Sequence, residues 1–147
     1  MHTRLIGWFD GACEPQNPGG YATYGILLKL DSKTIVSRCG CVGYGKLMSN
    51  NVAEYVAIAE LLGEVSKYDE NAEIYGDSAL VVNQLNRKWK IRGGLYRPYY
   101  EKAKALFDPL RQRIYLQWVP REENQECDEL SKQAYAEACR SAAQYVS

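Results

Sequence analysis

The stretch from Leu5 to Gly20, LIGWFDGACEPQNPGG, narrows most sharply what this chain can fold into. Leu5, Ile6, Trp8 and Phe9 are bulky and apolar, as a buried strand requires. The run stops at Asp10, and Gly11, Pro15, Asn17, Pro18, Gly19 and Gly20 are residues that bend a chain. The reading is a strand with a carboxylate at its end. A single Asp before a Gly is ordinarily a turn former, so Asp10 acquires chemical meaning only through partners elsewhere.

Three partners follow along the chain. Thr23 to Leu30 and Thr34 to Tyr44 read as two further strands joined by the polar turn Asp31, Ser32 and Lys33, which makes an antiparallel meander. Ser49, Asn50 and Asn51 offer N-caps to a helix reaching about Val65, with Glu54 in its first turns. Ala72 to Asp77 is a short strand that again ends in a carboxylate, followed by a helix through Leu80, Val81, Val82 and Leu85. A helix from about Tyr96 or Pro98 to Leu110, a strand from Arg113 to Val119 and a last helix from about Asn124 towards Tyr145 complete the order. Asp128 lies in the first turns of that last helix. Taken singly, Glu54 and Asp128 complement a helix dipole and Asp77 caps a helix.

Right-handed crossovers place the two later strands parallel beside the first, giving an α/β fold with a five-stranded mixed sheet, three strands antiparallel and two parallel, flanked by helices. Strand ends at a point where chain direction diverges bring Asp10 and Asp77 into one crevice, with Glu54 and Asp128 supplied by helices beside it. Four carboxylates that close either protonate or recruit cations. Oxygen donors without a histidine or cysteine set select magnesium, with manganese as a substitute.

With 147 residues the chain is read as one domain, 1–147. No apolar run approaches the roughly 20 residues that span a bilayer, which excludes a helical membrane protein. Met1 to Arg4 lead straight into strand-like sequence without a secretory h-region, so the expectation is a cytoplasmic protein. The five cysteines, Cys13, Cys39, Cys41, Cys127 and Cys139, form no CxxC pair and suggest neither a disulfide framework nor a zinc knuckle. Cys13 and Cys127 stand close in sequence to acids of the crevice. Oxidation there could perturb the site, against the plainer reading of both as small core residues.

Formal net charge is zero, but its distribution is uneven. Between Arg87 and Lys104, seven basic residues (Arg87, Lys88, Lys90, Arg92, Arg97, Lys102, Lys104) face one acid, Glu101, and are interleaved with Trp89, Tyr96, Tyr99 and Tyr100. That mixture suits phosphates and stacked rings. The alternative is a solvated surface whose aromatics turn inward.

The blocks DGACEPQNPGG, SNNVAEY, IYGDSALVVNQL and WVPREENQECDELSKQA, in this order and spacing, resemble a type 1 ribonuclease H over about Leu5 to Ala138. The resemblance implies the ribonuclease H fold and endonucleolytic hydrolysis of the RNA strand of RNA–DNA hybrids, leaving 5′-phosphate and 3′-hydroxyl ends. It assigns Asp10, Glu54, Asp77 and Asp128 to the four metal-ligand positions, for two Mg2+ ions or Mn2+ in their place. It also places Asn17 and Asn51 in the hybrid-binding groove, and Ser49 and Asn50 near a phosphate of the DNA strand, and Gly11 is a further substrate-binding candidate. Lys88, Trp89 and Lys90 are the expected substrate contacts of the basic segment.

Two departures stand out. Many members of the family carry a histidine on the loop before the last carboxylate; here the loop reads Pro120, Arg121, Glu122, Glu123 and Asn124, and the one histidine, His2, is badly placed. Arg121 cannot act as a base near neutral pH, but it can donate to a phosphate. The long basic protrusion of some relatives is replaced by the short Asn86 to Gly94 segment, and no separate hybrid-binding domain is expected. The expected molecule is a monomer. The alternatives are a noncatalytic nucleic-acid-binding domain of the same fold, and a same-fold nuclease acting on double-stranded RNA.

Overall fold

The computed structural model describes residues 4–146, with side chains up to Ala143, so His2 and the Met1 to Thr3 lead-in fall outside the described residues. Five strands form one sheet: β1 (Leu5–Glu14), β2 (Tyr21–Leu30), β3 (Lys33–Tyr44), β4 (Ala72–Gly76) and β5 (Ile114–Trp118). Their spatial order is β3-β2-β1-β4-β5, antiparallel from β3 to β1 and parallel from β1 through β4 to β5. This is the mixed sheet expected from the order of elements.

The helices are α1 (Asn50–Val65), α2 (Ala79–Leu85), α3 (Arg97–Phe107) and α4 (Gln125–Val146). Ser49 starts α1 by accepting from the Val52 N–H at 3.2 Å, and Ser78 starts α2 by accepting from Val81 in the same way. α1 lies on β1 and β2 with α3 behind it, while α4 crosses the other face over β1, β2 and β3. Period-two alternation puts Leu5 and Phe9 of β1, and Ile74 of β4, under α1, where they pack with Ile58, Leu61 and Leu62, all essentially inaccessible to solvent.

The turn expected after Asp10 is not there. β1 continues to Glu14, pairing Asp10 with Gly25 and Gly11 with Tyr24, and the bend begins only beyond Glu14. The ladder with β2 outweighs the weak strand preference of Gly11, because that position serves packing rather than turning. A Cβ on Gly11 would lie 2.4 Å from the Glu54 backbone nitrogen and 2.5 Å from the Ala53 carbonyl carbon, so the bare α-carbon lets α1 approach β1. On the opposite face, a Cβ on Gly25 would meet the Cys127 carbonyl oxygen at 2.6 Å, which clears the path of α4. Asp10 is thus flanked by two glycines that admit the helices carrying Glu54 and Asp128.

α3 also ends earlier than its apolar pattern suggests, at Phe107 rather than Leu110. Pro109 has no N–H for an α-helical bond, and the chain tightens into a 3-10 helix over Asp108–Arg113. Of the aromatics among the basic residues, Tyr96 and Tyr100 belong to the core and Tyr99 packs against it; Trp89 is the one that stays exposed.

Candidate active site

Asp10 remains the organising residue, although it lies in mid-strand. The parallel pairing of β1 with β4 ends at Phe9 and Gly76, so Asp10 and Asp77 are the next residues on two neighbouring strands. Here β4 stops and β1 goes on, which leaves a notch at the sheet end. Glu54 reaches the notch from α1 and Asp128 from the first turn of α4.

The electrostatics record how closely these acids stand. Asp10 is 6% exposed, and its carboxyl is pushed up from 3.8 to about 8, first by burial, then by the charge of Asp77 and a hydrogen bond with it, then by Glu54 and Asp128. Glu54 rises to about 7, chiefly by burial and further through Asp77, while a Ser78 hydrogen bond and the Arg121 charge oppose the shift. Burial first, then the Asp10, Glu126 and Asp77 charges, hold the Cys127 thiol well above its usual range. Cys127 is therefore a buried, protonated neighbour of the acids. Cys13 is buried too, with its thiol donating to the Gln16 carbonyl at 3.1 Å.

Asn124, Trp118 and Lys132, none of them assigned a role at the site from sequence, hold the acids in place together with Arg121. Asn124, 2% exposed, donates from Nδ2 to the Phe9 carbonyl at 2.8 Å and to Asp77 Oδ1 at 3.1 Å, tying the loop before α4 to both strands. The Trp118 indole donates to the Asp77 carbonyl at 3.2 Å. Lys132, one turn along α4, pairs with Asp128 Oδ2 at 3.0 Å, and Arg121 approaches Asp128 Oδ1 at 3.5 Å. An Asn just before a helix reads as an N-cap, and nothing local reveals that its amide turns inward instead.

The other candidates fall into two groups. Asn17 Oδ1 accepts from the Asn50 N–H at 3.0 Å, which joins the turn after β1 to the start of α1, where Ser49 caps the helix. Asn51 lines a groove of about 550 Å³ together with Leu80, Lys88, Trp89, Lys90 and Arg92. Asn51 and Glu54 are one turn apart on α1, so this groove borders the acidic notch. Arg121 projects from a short 3-10 helix (Arg121–Glu123), its side chain 74% exposed at the rim. Gly11 presents no side chain and acts by clearance.

Among the described residues, no three His, Cys, Asp or Glu groups are already drawn into a metal cage. The donor set nevertheless fits a hard divalent cation. Asp10, Glu54, Asp77 and Asp128 offer only oxygen, and Asp10 is held at a potential that a cation would relieve.

Residues 8–134 match the family described as reverse transcriptase-like. The chain is 33% identical over 129 residues to the bifunctional protein Rv2228c of Mycobacterium tuberculosis, an alignment that covers 86% of this chain and 34% of that protein. The chain thus spans about a third of that relative's length. The N-terminal RNase H domain of the same mycobacterial protein superposes with a TM-score of 0.82 at 30% identity, over 95% of this chain and 99% of that one. A ribonuclease H of Syntrophus aciditrophicus is 33% identical over 150 residues, covering 92% of this chain and 82% of the relative. Sheet order, the match along nearly the whole chain and these relatives lead to one assignment: the chain belongs to the ribonuclease H family.

Proposed function

We propose that this chain hydrolyses the RNA strand of RNA–DNA hybrids, leaving 5′-phosphate and 3′-hydroxyl ends, and that Asp10, Glu54, Asp77 and Asp128 hold two divalent cations, magnesium or manganese. The observation that carries the reading is the carboxyl of Asp10, buried and raised to about 8 among three other acids. Such a cluster destabilises the protein unless a cation compensates it. Bound cations would polarise the phosphate and lower the pKa of the attacking water.

The remaining work falls to the chain's own side chains. Asp10, on β1 beside the end of β4 and amid the other three acids, would contribute its carboxylate to the cation site. Asn124 orients Asp77 through its Oδ1 contact. Glu54, beside the groove, can also accept from the ribose 2′-hydroxyl that distinguishes RNA from DNA. Lys132 and Arg121 balance the charge of Asp128. As a substrate approaches, Arg121 is free to swing towards a phosphate oxygen, because its hold on Asp128 is long and its side chain is exposed. Asn51, Lys88, Trp89 and Lys90 would receive the hybrid, with Asn17, Ser49 and Asn50 meeting a backbone phosphate.

Labelled RNA–DNA hybrid, duplex RNA and duplex DNA, each incubated with and without magnesium, test the reading. Cleavage of the hybrid's RNA strand alone, dependent on magnesium, is expected. Intact hybrid under these conditions overturns the proposal, and equal cleavage of duplex RNA replaces the substrate assignment with the double-stranded-RNA alternative.

A further inference from the structure

The basic segment after α2 has no regular secondary structure, yet its backbone is held by a hydrogen-bond chain through two buried side chains, Gln84 and Tyr96, on the wall of the groove lined by Asn51, Lys88 and Trp89. Gln84, 3% exposed, donates from Nε2 to the Lys90 carbonyl at 3.2 Å and to the Tyr96 hydroxyl at 3.1 Å. That hydroxyl accepts from the Arg92 N–H at 3.0 Å and donates to the Arg92 carbonyl at 2.8 Å. The Gln84 side-chain oxygen Oε1 in turn accepts from the Tyr55 hydroxyl, whose proton burial retains. Tyr55 stacks on Tyr96, with ring centroids 5.7 Å apart and planes at 15°. Upstream, the Asn83 carbonyl receives the Lys88 and Trp89 N–H groups at 2.8 and 3.1 Å.

Each polar atom of Gln84 and the hydroxyl of Tyr96 is therefore occupied, and their loop partners are backbone groups. A buried Gln and Tyr so engaged cost desolvation that an apolar pair would avoid. They are tolerated where they specify one conformation. The conformation in question carries Lys88, Trp89 and Lys90, while the far end of the chain is Tyr55, next in sequence to Glu54.

We infer that Gln84 and Tyr96 are positioning residues that hold the Lys88 to Arg92 loop in register with the acidic notch, and so set affinity for the phosphate backbone without taking part in bond cleavage. The inference rests on the proposed function, in which that loop meets the hybrid. Preorganising the loop removes an ordering cost from binding, so its loss raises KM and leaves kcat almost untouched.

Tyr96→Phe is the primary test, because it deletes only the hydroxyl and keeps the stacking on Tyr55; Gln84→Met is the second variant should the first fail to fold. The expected result is a rise of about three- to thirtyfold in KM for the hybrid with kcat within about twofold, a shallower salt dependence of hybrid binding, and faster amide exchange at Arg92. A lower melting temperature with unchanged KM, salt slope and loop exchange would show that the chain of bonds is merely core structure. The joint replacement of Lys88 and Lys90 by Ala separates the two layers of argument. If that variant binds hybrid with the wild-type salt slope, the loop is no substrate contact and the functional reading of it fails; amide exchange at Arg92 in Tyr96→Phe still decides whether the clamp holds the loop.

Discussion

Asp10 and Asp77 each follow the last parallel residue pair of β1 and β4, Phe9 with Gly76, so two acids from neighbouring strands emerge side by side where one strand ends and the other continues. Their proximity has a thermodynamic signature. The Asp10 carboxyl, ordinarily at 3.8, stands at about 8 in the folded protein. Between these limits the unfolded chain ionises while the native one keeps its proton, so the stability of the metal-free protein falls as pH rises from about 4 to about 8.

Asp10→Asn removes this penalty. In EDTA the variant is expected to be more stable than the parent by on the order of a few kcal/mol above pH 8, with the gain vanishing near pH 3, where both forms are neutral. Urea titrations across that range measure it. The same variant, and Asp77→Asn, should lose cleavage while retaining hybrid binding. A near-parental cleavage rate in either would remove the residue from the site.

Cation binding should expel protons. At pH 7 Asp10 is largely protonated and Glu54 about half so, and a metal ligand must be ionised, so loading releases about one to two protons per chain. Calorimetry with magnesium or manganese in buffers of different ionisation enthalpy reads this number, and affinity should climb with pH until about pH 8. A buffer-independent enthalpy at pH 7 would mean that these carboxyls do not meet the cation.

Gly11→Ala and Gly63→Ala should separate clearance from propensity. A Cβ at Gly11 would collide with the α1 backbone, whereas one at Gly63 meets nothing within 4 Å. The first is expected to lose more than about 3 kcal/mol and, with α1 displaced, most of the activity. The second should gain about 0.5 to 1 kcal/mol as a helix-interior replacement. Chemical denaturation of the two side by side provides the comparison.

If Arg121 stands where the resemblance expects a loop histidine, its guanidinium offers fixed charge and planar donors rather than a titrating proton. Arg121→Ala should lower kcat by about ten- to a thousandfold with a smaller change in KM, as expected for one donor to a developing charge. Arg121→Lys should recover part of the loss. Parental turnover in the alanine variant would leave catalysis to the four carboxylates.

Strand order, the capped start of α1 and the gathering of Asp10, Glu54, Asp77 and Asp128 were legible in the sequence, because period-two and helical patterns, turn residues and caps act over a few neighbouring positions. Ser49 before Asn50, and Asp77 after a short apolar strand, carry that information locally. The position of Asp10 was not local: Gly11 resembles a turn residue, and only contact with Ala53 and Glu54 from α1 makes it a point of clearance within a strand that runs on to Glu14. Pro109 could be read for its missing N–H, yet whether Tyr96 and Tyr100 stack on substrate or fill the core depended on α1 lying against α3. Asn124 and Gln84 were invisible for the same reason. A buried amide declares its role only through its partners, and those lie on Phe9 and Asp77 in one case, and on Tyr55, Lys90 and Tyr96 in the other. The sequence by itself determined which groups could do chemistry; tertiary packing decided how they are held, because close approach and hydrogen-bond satisfaction are set between segments remote along the chain.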